Sequence, residues 1–115
     1  MHDGTSVDRA GQVAVIFISQ RTAQDGEGYA AAAAAMDALA AAQPGYCGVE
    51  SVRDAEGRGI TVSYWASLED IRNWKQQSEH LIAQETGRKQ WYQHYKTRIC
   101  KVERDYEFED GQYKK

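Results

Sequence analysis

Six large aromatic residues, Tyr64, Trp65, Trp74, Trp91, Tyr92 and Tyr95, fall within 32 positions of the second half of the chain. Rings with a polar tip make flat walls that can also donate a hydrogen bond, which suits a pocket for a flat organic ligand. The plainer account is that they fill core and interface. Histidine is the side chain that titrates near neutral pH, so it is the first candidate for proton transfer. Of the three histidines, His2 lies in a polar N-terminal stretch, and His94 at the start of the last strand is the weaker candidate. His80 follows Trp74 by six residues. On a helix this is a turn of about 600°, which leaves the two side chains about 120° apart, able to line two sides of one cavity. His80 shares its stripe with the polar Asn73, Gln77 and Gln84. It therefore reads as solvent-facing, as a general base, or as a ligand to an iron centre.

Other chemistries lack their residues. Cys47 and Cys100 stand far apart, outside any CxxC pattern, so a metal site has no spacing support and two buried, reduced thiols are expected. No HExxH, GxSxG, Walker or dinucleotide fingerprint occurs. The net charge is -3 with a pI near 5.6. With no Lys/Arg stripe, nucleic acid is not an expected partner. No apolar run approaches the roughly 20 residues that span a bilayer. Residues 1–11 lack a signal-peptide core, so they read as a flexible leader on a cytoplasmic protein, with no membrane partner.

The 115 residues suffice for one domain with its own core. Residues 12–20 (QVAVIFISQ) are apolar without alternation, the mark of a central strand covered on both faces. Residues 27–42 form an alanine-rich helix whose inward stripe is Tyr29, Ala32, Ala33, Met36, Leu39 and Ala40. Pro44 and Gly45 end it. Residues 46–54 and 58–66 form a hairpin. Ser67 caps a second helix with Asp70 three residues on, and Ile71, Trp74, Ser78, Leu81 and Ile82 share its inner face. Gly87 ends that helix, residues 88–92 add a short turn, and residues 93–106 are the last strand. The region 109–115 is a polar tail expected to fray.

The order β-α-β-β-α-β predicts an α+β, ferredoxin-like domain over residues 12–108, with strands 1 and 3 central, 4 beside 1 and 2 beside 3. Both helices cover one face of the sheet. The opposite face keeps half of the apolar residues of strands 1 and 3, and a second copy is its simplest cover, so a homodimer is expected. The alternating charges from Arg98 to Asp105 read as a solvated edge.

The string Tyr64-Trp65-Ala66-Ser67-Leu68-Glu69-Asp70-Ile71, followed by Trp74, Glu79-His80, Ala83-Gln84, Gly87-Arg88, Trp91-Tyr92 and Tyr95, resembles the antibiotic biosynthesis monooxygenase (ABM) domain family, in its heme-degrading-monooxygenase-like branch. The closing Val102-Glu103-Arg104 is similar too. The resemblance runs over roughly residues 12–108. It implies a dimeric α+β barrel. It also implies a monooxygenase acting on a small aromatic or phenolic molecule with dioxygen and no cofactor, with His80 as base and Tyr64, Trp65, Trp74, Trp91 and Tyr92 shaping the pocket. One alternative is a heme-binding or heme-degrading protein with His80 on the iron. In that branch an asparagine is expected near the end of the first strand, where this chain carries Ser19 and Gln20. The other alternative is a non-enzymatic ligand-binding dimer.

Overall fold

The computed structural model describes residues 7–84 and 91–114, and the side chains of all of these except 79–84. Strand β1 (Val13–Arg21) leads to helix α1 (Gly26–Ala41), then to strands β2 (Tyr46–Arg53) and β3 (Arg58–Trp65), helix α2 (Leu68–Gln84) and strand β4 (Tyr92–Lys101). A short hairpin of β5 (Glu107–Glu109) and β6 (Gln112–Lys114) follows. The main sheet runs β2-β3-β1-β4 with every neighbour antiparallel. This is the α+β, ferredoxin-like arrangement expected from the element order, with the two most apolar strands in the middle.

Register fixes which side chains meet. Val13 pairs with Trp65, Val15 with Ser63, Phe17 with Thr61 and Ser19 with Gly59. Val15, Phe17, Thr61 and Ser63 face the helices, because they line the space between sheet and helices. Alternation then turns Ile16, Ile18, Ile60, Val62 and Tyr64 to the opposite face.

Helix α1 buries the predicted stripe: Tyr29, Ala32, Ala33, Met36 and Leu39 are half-buried and Ala40 is buried. Its N-cap is Asp25, in a left-handed conformation (φ 50), and the Asp25 carboxylate accepts a hydrogen bond from the Gly28 N–H. At the start of α2, Ser67 Oγ accepts from the Asp70 N–H at 3.2 Å and donates to the Asp70 carboxylate at 2.8 Å. Ile71, Trp74 and Ser78 turn inward as expected. Leu81 and Ile82 carry side chains outside the described set, and the turn at 87–90 lies outside the described residues.

The core is small and sits at one end of the helix layer. Val13, Ala40, Trp65 and Ile71 are buried together, with Val15, Tyr46 and Trp74 packed against them. Trp65 is fully buried; its ring stacks on Trp74 at 5.8 Å and meets Tyr46 edge-on at 5.6 Å. The Trp65 indole N–H donates to Ser63 Oγ, so this buried donor is satisfied.

Three expectations change. The last strand ends at Lys101 rather than 106, because the chain turns there to bond Gly11 and Gln12 through Val102. Residues 107–114 form a hairpin instead of fraying. Asp110 and Gly111 both adopt positive φ (51 and 82), the geometry of a two-residue hairpin turn, and Phe108 packs on Tyr113 across it. The cysteines are free, on opposite edge strands, but Cys47 is half-buried and Cys100 exposed rather than both buried. At the other terminus, Arg9 bonds the Cys47 carbonyl and Gln12, lies 4.2 Å over the Tyr64 ring, and its N–H donates to Asp105.

Candidate functional site

Between the sheet and the two helices lies a cavity of about 470 Å³. That is the size of a small-molecule site. Its apolar walls come from Val15 and Phe17 on β1, the alanine face of α1, and Ile71 and Trp74 on α2. The alanines make the space: a stripe of Ala32, Ala33 and Ala40 has little to fill it with. One end closes on the packed Trp65 cluster. Tyr46 lies there too, its phenol pushed above its ordinary pKa first by burial and then by the Asp37 carboxylate.

The other end is polar and was not anticipated. Arg53, on edge strand β2, reaches across β3 to β1. Its guanidinium donates to Ser19 Oγ at 2.8 Å, to Tyr29 Oη at 3.3 Å and to the Gly57 carbonyl. Gly59 of β3 lies beneath it and is buried; a Cβ there would stand 2.6 Å from the Arg53 guanidinium carbon. The bare position is what lets the arginine lie flat on the sheet. The Tyr29 and Tyr92 rings cross edge to face at 5.9 Å. The Tyr92 phenol is held well above its ordinary pKa, by burial first and by Tyr29 second, against the lowering pull of Arg53 and Arg21. It is therefore a hydrogen-bond donor at any physiological pH.

Two more groups lock this end. Arg21 sits 3.8 Å over the Tyr29 ring and donates to the carbonyls of Trp91 and Gln24. Trp91 is buried, and its indole N–H donates to the Asp25 carboxylate at 3.0 Å, the same carboxylate that caps α1. One aspartate thus ties the entry of β4 to the start of α1.

The residues singled out in the sequence are distributed unevenly. Trp74, Trp91 and Tyr92 line the cavity, and so does Tyr95. Trp65 lies behind Trp74 in the core and does not line it. Tyr64 lies on the opposite face of the sheet under Arg9, with its pKa raised chiefly by burial. Adjacent strand residues point opposite ways, so Tyr64 and Trp65 never share a wall. His80 is carried by α2, but its side chain lies outside the described ones. Asn73 and Gln77, its stripe mates, are exposed. His94 pairs with Gln20 on β1 and is exposed.

Among the described lining residues there is no histidine or cysteine to hold an iron. No group of three His, Cys, Asp or Glu among the described residues is placed to hold a metal ion. The heme alternative rests on His80, whose side chain lies outside the described ones. Among the described residues no helix is long and apolar enough to cross a membrane.

The chain is similar to known proteins in sequence and in fold. A family model described as antibiotic biosynthesis monooxygenase matches residues 12–86. The protein YqjZ of Bacillus subtilis (strain 168) is 50% identical over 98 residues, which cover 85% of each chain. A variant of SnoaB, a cofactor-independent oxygenase from Streptomyces nogalater, superposes with a TM-score of 0.68 at 14% identity, covering 84% of this chain and 97% of that one. PA3566 from Pseudomonas aeruginosa superposes with a TM-score of 0.65 at 15% identity, covering 81% and 95%. At these identities the two structures speak for the fold alone.

Proposed function

The chain belongs to the antibiotic biosynthesis monooxygenase family, and from that premise we propose that it is a monooxygenase acting on a small phenolic or other aromatic molecule, with dioxygen and without a cofactor. The observation that carries this reading is the cavity: about 470 Å³, apolar along its length, and closed at one end by two phenols and a guanidinium. The likeness in fold to a cofactor-independent oxygenase supports it.

The chemistry asks little of the protein. An ionised phenol can pass one electron to dioxygen; the radical pair joins in a C–O bond, and loss of water leaves a quinone. Overall, a phenol and one dioxygen give a quinone and one water, so substrate supplies every electron. The protein must exclude water, hold the ring and favour the ionised form. Trp74, Phe17 and the alanines of α1 exclude water. Trp91 and Tyr92 wall the polar end. Trp65 acts from behind, by fixing Trp74.

His80 is the base of this reading. Its test is His80→Ala, assayed by oxygen uptake with a panel of phenols near neutral pH. Turnover lost with binding intact establishes the role, and turnover unchanged removes it. No oxygen uptake by the wild-type protein with any phenol that binds would refute the enzyme and leave a ligand-binding protein.

The reading includes a homodimer in a cytoplasmic setting. The sheet face away from the helices carries Ile16, Ile18 and Val62, with Ile60 and Val52 43% and 72% exposed. A second copy covering that face would complete an α+β barrel. Light scattering is expected to give a dimer at micromolar concentration and a monomer for Ile60→Lys. A monomeric wild type would sink the dimer.

A further inference from the structure

We propose that the Arg53–Tyr29–Tyr92 end of the cavity is an anion-binding subsite, and that the protein selects aromatic ligands carrying a negatively charged oxygen, a carboxylate or an ionised phenol or enol. The inference deepens the substrate class of the oxygenase reading and rests on the same cavity, but it concerns binding and stands without turnover.

Three observations converge. First, two guanidinium groups flank Tyr29. Arg53 bonds its hydroxyl, Arg21 lies 3.8 Å over its ring, and both otherwise donate only to neutral oxygens: Ser19 Oγ and the carbonyls of Gly57, Trp91 and Gln24. Among the described residues no carboxylate pairs with either. Arg53 lines the cavity, while Arg21 lies over the Tyr29 ring outside that lining; the nearby Asp25 carboxylate is taken up by hydrogen bonds from Trp91 and Gly28, so the two guanidinium groups leave a positive potential that an anion entering the cavity relieves. Second, the phenols beside them are donors. Tyr92 lines the cavity and burial keeps its phenol neutral, so its O–H can turn to an anionic oxygen. Third, the arginine is built into the sheet. It crosses the buried Gly59 to bond the buried Ser19, so an arginine that is exposed as a residue still has its guanidinium held at the cavity wall. The other ionised lining residues, Asp37 and Lys75, are on the helices. Asp37 acts on Tyr46, at the Trp65 end, where it repels an anion and so reinforces one orientation: charged head at Arg53, rings toward Trp74.

The test is calorimetric titration of the full chain with naphthoate and with naphthalenemethanol, which match in rings and differ in charge. Wild type is expected to prefer naphthoate by about ten- to hundredfold, the range of a charge-assisted contact. Arg53→Met should abolish the preference while leaving naphthalenemethanol binding in place, and Arg53→Lys should restore part of it. Gly59→Ala, which keeps every charge but displaces the guanidinium, should reduce the preference as well. Equal affinity for the two ligands in the wild type, a preference unchanged in Arg53→Met, or binding of neither at millimolar concentration would overturn the subsite. Charge preference without oxygen uptake keeps the subsite and removes the oxygenase; oxygen uptake with neutral phenols and no charge preference does the reverse.

Discussion

The two ends of the helix–sheet layer are built on opposite principles. At one end Trp65, Val13, Ala40 and Ile71 pack ring on ring and methyl on ring, with one indole hydrogen bond and a capped helix start. At the other, Ser19, Tyr29, Arg53 and Tyr92 are held by hydrogen bonds and cation–π contacts around open space. Ser19 and Val13 lie on one strand six residues apart, roughly 20 Å at strand spacing. The apolar end contributes stability by burial. The polar end holds guanidinium groups that burial alone would not favour, and it keeps them next to a cavity. A domain this small can afford one such end because the other is dense.

Trp65→Ala is the largest test of that contrast. It removes a fully buried large ring and the support of Trp74, so a loss of about 3–5 kcal/mol is expected by denaturant unfolding. A loss below about 1 kcal/mol would mean that the dense end is not where stability resides. Ser67→Ala touches the same end more lightly. It deletes the cap of α2 and should cost about 1 kcal/mol, read as a fall in the unfolding midpoint with unchanged slope. Arg53→Met, at the polar end, should cost less than the Ser67 cap even though it removes three hydrogen bonds, because Arg53 is exposed and two of its partners, Tyr29 Oη and the Gly57 carbonyl, are bonded within reach of water. A larger loss would make Arg53 a structural element first and a ligand contact second.

The smallest effect is in alkali. Tyr92 has a raised pKa in the fold, so the folded state binds its proton more tightly than the unfolded chain. Its contribution is fully present below pH 10, the unfolded value, and is lost as pH rises beyond it. Spectrophotometric titration of phenol ionisation should show Tyr92 still protonated above its ordinary pKa. Tyr92→Phe should remove the late-titrating group and flatten the alkaline fall in stability. A Tyr92 phenol that ionises at its ordinary value would break the account of a closed polar end.

Much of this was legible in the sequence, and the exceptions have physical reasons. Unbroken apolar character placed β1 centrally, and the spacing of Tyr29, Ala32, Ala33, Met36 and Ala40 gave the inner face of α1. Ser67 and Asp70 marked the next helix start. The C-terminal hairpin was legible too, through Asp110-Gly111 between residues that pair, but the polar composition around it argued for fraying. Tyr64 and Trp65 illustrate a period of two outweighed by a cluster: neighbours on a strand cannot face one pocket. The Arg53 cluster had no local signal. Ser19 and Arg53 are 34 residues apart and meet only because β3 lies between them with a glycine at the crossing point. A bare Gly59 in an otherwise filled central strand was the one hint that something lies across it.

The alanine face of α1 has a consequence for how such a protein changes over time. Because the wall opposite the sheet is made of the smallest side chains that still favour a helix, its thickness is adjustable one position at a time. Replacing Ala32 or Ala33 with valine or leucine would shorten the reach of the ligand's ring system while leaving Arg53 and Ser19 on the sheet unchanged, and reversing the change would restore it. Size tolerance on the helix and the sheet-borne arginine that holds the head group are then inherited separately, so a lineage could alter the bulk of what it accepts while keeping the way it is held.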